Sequence, residues 1–107
     1  MNELNLELLR KLCNNGDVIW TLHAIKRVRE RKIKMQEVLD CIQCGEIIEQ
    51  YPSDKPLPSC LISAIIKTKQ IHAVVSSDGK EIYIITAYIP TLDDWESDYK
   101  TRKEQTQ

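Results

Sequence analysis

The sequence predicts an α+β domain in which N-terminal helices pack on one face of a mainly antiparallel four- to five-stranded sheet. Three observations predict it. Apolar residues recur at helical spacing as far as Gly45. Beyond Gly45 they alternate with the period of two that a strand requires. Clusters of Gly, Pro, Asp and Ser separate the runs. Helices followed by strands is the order of a two-layer domain whose helices collect on one side of the sheet. The other sheet face is then left for function.

Leu4, Leu8, Leu9 and Leu12 carry the first helical period, and Asn14, Asn15 and Gly16 are residues that end a helix. Val18 to Trp20 reads as a short extended segment. Thr21 is placed to cap a second helix running from Leu22 to Lys32. A third helix passes through Val38, Leu39 and Ile42 and is closed by Gly45; Lys34, near its start, is no capping residue. In the first alternating run Ile47, Glu49 and Tyr51 share one face, with Ile48 and Gln50 on the other. Three of the four prolines fall between Pro52 and Ser59 and mark a connecting loop. Strands follow at Cys60 to Lys67, Ile71 to Ser76 and Glu81 to Ile89, the last two joined by a turn at Ser77, Asp78 and Gly79. In the last strand Ile82, Ile84, Thr86 and Tyr88 are expected on one face. The segment after Pro90 is polar apart from Trp95 and Tyr99.

A chain of 107 residues is sized for one domain spanning residues 1–107, with a helix in 1–16 and a polar C-terminal tail in 92–107. No apolar run is long enough to cross a bilayer. The start at Asn2, Glu3 and Leu4 lacks the features of a secretory signal. A cytoplasmic protein with Cys13, Cys41, Cys44 and Cys60 as free thiols is therefore expected. Cys41 and Cys44 form a C-x-x-C pair, but zinc sites use such pairs in twos, and the second is missing. No metal ligands are assigned.

A net charge of −1 argues against broad binding to polyanions. The average conceals an asymmetry. From His23 to Lys34 six cations (Lys26, Arg27, Arg29, Arg31, Lys32 and Lys34) face one anion, Glu30; from Gln36 to Asp54 there are five anions and no cation. With about 100° between successive helical residues, His23, Arg27 and Glu30 fall on one stripe, with Arg31 at its edge. Cleavage of RNA by its own 2′-hydroxyl needs a base, an acid and a cation for the phosphate oxygens. His23 can serve as base or acid, and Arg27 or Arg31 as the phosphate clamp. The competing reading is a solvated Arg27–Glu30 ion pair. His72 sits in an apolar strand, where a satisfied structural role competes with catalysis. Trp95, Tyr99, Lys100, Arg102 and Lys103 could stack on bases and pair with phosphates, or the tail could pack Trp95 on the sheet. Lys26, Arg29, Lys32, Lys100 and Arg102 are the candidate RNA-binding cations.

The stretch Trp20-Thr21-Leu22-His23-Ala24 with Arg27, Arg29-Glu30-Arg31 and Ile33 resembles the opening of the bacterial domain of unknown function 4258. Gly45-Glu46-Ile47-Ile48-Glu49, Tyr51-Pro52, Asp54, Pro58, Cys60-Leu61-Ile62, His72 and Ile85-Thr86-Ala87-Tyr88 up to Pro90 and Trp95 are similar to it as well. The resemblance runs from about Trp20 to Arg102. It implies a RelE-like fold, from a group rich in type II toxins that act on messenger RNA, paired with an antitoxin bearing a zinc finger and a helix-turn-helix. It also implies His23, Arg27, Glu30 and Arg31, with His72 and Tyr88 on the sheet, as the functional residues. Lys34 departs from the family, which usually has a capping Ser or Thr there. The expectation is a toxin-like, metal-independent endoribonuclease with no cofactor. The alternative is a non-catalytic protein- or nucleic-acid-binding module, a gyrase-directed toxin of the ParE kind included.

Overall fold

The computed structural model describes residues 3–104. Three helices and five strands follow in the order α1 (Leu6–Asn14), β1 (Val18–Trp20), α2 (Leu22–Glu30), α3 (Met35–Cys44), β2 (Glu46–Tyr51), β3 (Ser59–Ile66), β4 (Lys69–Ser77) and β5 (Ile82–Tyr88). The strands form one sheet in the order β1-β5-β4-β3-β2. Its pairings are antiparallel except β1 with β5, which is parallel.

Each helix begins where a local group satisfies its free N–H donors. The Asn5 side chain accepts from Leu8, and the Thr21 hydroxyl accepts from Ala24. Lys34 offers no side-chain cap to α3. Glu37 compensates from within the helix, its carboxylate accepting the Lys34 backbone N–H at 2.9 Å. Gly16, with φ +79°, adopts the left-handed turn expected after α1. Gly45 is a glycine for another reason. Its backbone is extended, but a Cβ there would meet the Cys41 carbonyl at 2.5 Å and the Ser63 carbonyl at 2.6 Å.

The core lies between the helices and the inner sheet face. Leu9, Leu12, Ala24, Val28, Val38 and Ile42 from the helices meet Cys60, Ile62, Ile71, Ala73, Val75, Ile82 and Ile84 from the strands. Fully burying one such aliphatic side chain contributes roughly 1.5–3 kcal/mol, so this layer holds the fold. α2 packs on β5, and α3 packs on β3 and β4.

Two bulges overturn the simple alternation expected of β2 and β5. In β2 the register slips at Ile48, so that Ile47 lies opposite core residue Ile62 while Glu49 pairs with Leu61 on the outer face. In β5 it slips at Ile85, putting Ile84 inside and Thr86 and Tyr88 outside. An inserted residue reverses the facing of everything beyond it. The expected groupings of Ile47 with Glu49, and of Ile82 and Ile84 with Thr86, are therefore broken.

The outer face is not open. Leu61 and Trp95 are buried at 1% and 2% exposure, yet stand outside the main core cluster. The chain after Pro90 folds back as a small hairpin, with an antiparallel bridge between Trp95 and Arg102, and lies across the sheet. Among the described residues no helix is long and apolar enough to cross a membrane.

Candidate functional site

The sequence places imidazole, guanidinium and carboxylate groups in two regions, and the fold keeps them apart. The first region is the exposed face of α2. Thr21 anchors the start of this helix twice, accepting from Ala24 N at 3.0 Å and donating to the Ile84 carbonyl of β5 at 3.1 Å. With Ala24 and Val28 turned into the core, His23, Arg27 and Glu30 must face outward. Arg27 Nε approaches His23 Nε2 at 3.5 Å, and a terminal nitrogen of Arg27 meets Glu30 Oε1 at 3.2 Å. Because guanidinium only donates, His23 Nε2 is the acceptor in this contact. Arg27 and Glu30 keep 42% and 48% of their side chains in solvent. An imidazole and a carboxylate thus flank one guanidinium, all within reach of a ligand. Lys26, Arg29 and Lys32 are exposed on the same segment.

Arg31 leaves this stripe. β1 stops at Trp20, opposite Ile84, so the later residues of β5 have a free edge. Arg31 reaches around it, donating to the Ala87 carbonyl at 2.8 Å and to Thr86 Oγ1 at 3.1 Å. It links the helix face to the outer sheet face.

The second region is that outer face under the C-terminal hairpin. His72 is fully buried. Its Nε2 lies 2.7 Å from the Tyr99 carbonyl and its Nδ1 3.3 Å from the Tyr88 hydroxyl. A carbonyl can only accept, which assigns the proton to Nε2 and leaves Nδ1 to accept from Tyr88. Trp95 meets the His72 ring edge-on, with centroids 4.6 Å apart. Arg102 covers Trp95 at 4.5 Å and binds Glu49 through two nitrogens, at 2.8 and 3.2 Å. Tyr51 donates to the same Glu49 carboxylate. Lys100 pairs with Glu46 at 3.2 Å.

The ionisations follow these contacts. Burial pushes His72 below the ordinary imidazole value, outweighing the Tyr99 carbonyl and the Glu49 charge that favour its protonation. Burial alone would raise the Glu49 carboxyl, but hydrogen bonds from Arg102 and Tyr51 hold it below the usual carboxylate range. Burial and the Glu49 hydrogen bond push Tyr51 up to about 12. Tyr88 is also raised, first by burial; Arg31 and Arg102 lie close enough to oppose this, while Glu49 and Asp94 reinforce it.

Of the residues singled out from the sequence, His23, Arg27 and Glu30 are brought together, with Arg31 at their margin. His72 and Tyr88 touch each other but sit beneath the hairpin. Lys100 and Arg102, read as RNA-binding cations, are held by Glu46 and Glu49. The outer face, read as open for function, is covered by Trp95 and Tyr99. The residues missed were Glu49, which receives Arg102 across 53 sequence positions, and Thr86, which receives Arg31. Neither has a local sequence signal. Two clefts flank the hairpin: one of about 560 Å³ bordered by Glu46, Ser63, Gln70 and Lys100, the other of about 400 Å³ bordered by Ile65, Lys69, Ile89 and Tyr99. Neither touches the α2 stripe.

The C-x-x-C cysteines face different surroundings. Cys41 is buried against the Ile62 and Ile71 carbonyls, and burial pushes its thiol up to about 12; Cys44 is exposed. Among the described residues no group of three or more His, Cys, Asp or Glu side chains could hold a metal ion.

These features define an α+β protein with three helices on one face of a five-stranded mixed sheet and a C-terminal hairpin on the other. Residues 20–89 match the family described as a domain of unknown function, DUF4258, and the chain belongs to that family. Neither a curated protein nor a solved structure matches the chain.

Proposed function

We propose that this protein is the toxin-like member of a type II toxin–antitoxin pair with a RelE-like fold, and that it is a metal-independent endoribonuclease acting on messenger RNA. The observation that carries the reading is the exposed contact chain His23–Arg27–Glu30. Cleavage by internal attack requires a proton acceptor at the 2′-hydroxyl, a proton donor at the leaving 5′-oxygen and a cation on the phosphate between them. Glu30 and His23 stand on the two sides of Arg27: the Glu30 carboxylate, paired with Arg27, supplies the proton acceptor, and the His23 imidazole supplies the donor. Arg27 supplies the third, and its planar donors suit two phosphate oxygens at once. The 2′-oxygen bonds to phosphorus as the bond to the 5′-oxygen breaks, leaving a 2′,3′-cyclic phosphate and a free 5′-hydroxyl. Lys26, Arg29 and Lys32 add the charge that draws a polyanion to this face. The cognate partner is an antitoxin carrying a zinc finger and a helix-turn-helix.

Induced expression tests this in bacteria. The wild-type chain is expected to arrest growth and deplete messenger RNA, and His23→Ala or Arg27→Ala to relieve both with an unchanged thermal unfolding midpoint. Normal growth with intact messenger RNA on wild-type expression refutes it.

A second reading is supported by the sealing of His72, which leaves His23 as the one histidine open to solvent. A non-catalytic module, gyrase-directed toxins of the ParE kind included, would use the same basic face to grip rather than cut. It predicts growth arrest with RNA intact.

A further inference from the structure

We propose that bound RNA runs antiparallel to α2: the strand 5′ of the cut lies along Arg31, Lys32 and Lys34, and the nucleoside 3′ of the cut rests against Leu22. The proposal rests on the RNA-directed reading above and deepens it, giving the substrate a direction and the site a base-contacting residue.

The direction follows from which group moves which proton. The attacking 2′-hydroxyl belongs to the nucleotide before the scissile phosphate and the leaving 5′-oxygen to the one after it, on opposite sides of phosphorus. Glu30, at the C-terminal end of the stripe, accepts the first proton, and His23, at its N-terminal end, donates the second. With the phosphate on Arg27 between them, the preceding nucleotide falls at the end of α2 and the following one at its start.

The two ends of the helix are chemically unlike in the same sense. Beyond Glu30 come Arg31, Lys32 and Lys34, and the next anion, Glu37, is buried and paired with Lys69. α2 closes in a turn where the Lys32 N–H donates to the Arg29 carbonyl and the Ile33 N–H to the Val28 carbonyl. Such a turn needs a left-handed residue, and Lys32 fills it at φ +57°, a conformation glycine adopts at less cost. A lysine there keeps a cation that glycine would lack. Lys32 and Lys34 are exposed, and neither forms a salt bridge among the described residues. Their charge offsets the negative end of the helix, which by itself would repel a phosphate.

At the other end the chain carries no charge from Val18 to Leu22. Leu22, the first residue of α2 and the neighbour of His23, is 86% exposed. It takes no part in the core, which Ala24 and Val28 enter from the same helix. An aliphatic surface of this kind gains by covering the face of a base and gains nothing from a phosphate. The cationic end therefore suits the backbone of the strand, and the apolar end suits a base.

The test uses the full chain and a hexameric 2′-O-methyl oligouridine, which cannot be cleaved because its 2′-oxygen is blocked. A nitroxide label at the 5′ end is expected to broaden the amide resonances of Arg31, Lys32 and Lys34, and a label at the 3′ end those of Thr21, Leu22 and His23. Lys32→Gln is expected to weaken binding and to lower the steepness of log affinity against log salt by about 0.7, the value for one single-strand phosphate contact. Leu22→Ala is expected to weaken binding about fivefold with that steepness unchanged. Exchanged or identical broadening from the two labels overturns the direction. Unchanged affinity in Leu22→Ala overturns the base contact, and no binding by wild type overturns both. Because this probe reports binding alone, cleavage of unmodified RNA is scored separately. Cleavage with exchanged labels leaves the nuclease standing and removes the direction; ordered labels without any cleavage keep the strand's placement and remove the nuclease.

Discussion

The protein contains the same three chemical groups twice, and the two sets have opposite fates. On α2, His23, Arg27 and Glu30 are spaced three and four residues apart, touch one another loosely and remain in solvent. On the outer sheet face, His72, Arg102 and Glu49 come from β4, the hairpin and β2, and close around Trp95. The first set contributes little to folding and is free to act on a ligand. The second gives up access in exchange for order. Identical side chains are thus sorted into chemistry and architecture by what covers them, and substitutions should respond accordingly.

The largest stability effect should come from Trp95→Ala. Removing a buried indole together with its His72 and Arg102 contacts is expected to cost about 3 kcal/mol, read as a lower denaturant midpoint. A cost below about 1 kcal/mol would mean that the hairpin is not anchored by this ring.

Acid should weaken the same region. With His72 held below its ordinary value of 6.5, the unfolded chain binds the proton more readily than the folded one. Stability from this site is complete above that value and is lost as pH falls through it. Glu49, held below its usual range, acts in the same direction at lower pH. Comparing thermal midpoints of wild type and His72→Gln between about pH 7 and 5 isolates the histidine. The variant is expected to show the shallower slope, and equal slopes would remove His72 from the account.

Arg102→Ala follows, at about 1 kcal/mol, since its paired carboxylate is only partly buried and its exposed guanidinium is screened. Smallest of all, Arg27→Ala should change the unfolding free energy by less than about 0.5 kcal/mol. A larger loss would make the α2 stripe architectural too, and the contrast between the two regions would disappear.

Much of this was legible in the residues, for physical reasons. Thr21 marked the start of α2 because a capping hydroxyl is a local requirement, and the α2 stripe followed from helical geometry alone. The strands and the helix-then-strand order were carried by periodicity. What failed was what depends on contacts distant in sequence. The bulges at Ile48 and Ile85 are set by cross-strand register, which no short window contains. That the tail packs Trp95 on the sheet was one of the two readings open in the sequence, and the structure bears it out; what local residues do not carry is that Trp95 finds His72, and Arg102 finds Glu49, after the sheet has formed. Gly45 closes α3 as the sequence indicated, its N–H donating to the Cys41 carbonyl, but helix ending is not why it must be a glycine. The reason for it is a close approach to Ser63 on another strand.

Cleavage of a defined RNA by the purified chain, with the product ends identified, tests the central claim most directly. The account predicts fragments ending in 2′,3′-cyclic phosphate, formed without added divalent metal, and a rate lowered about a hundredfold in both His23→Ala and Arg27→Ala. RNA left intact by the wild-type protein, or cut equally well by both variants, would contradict it.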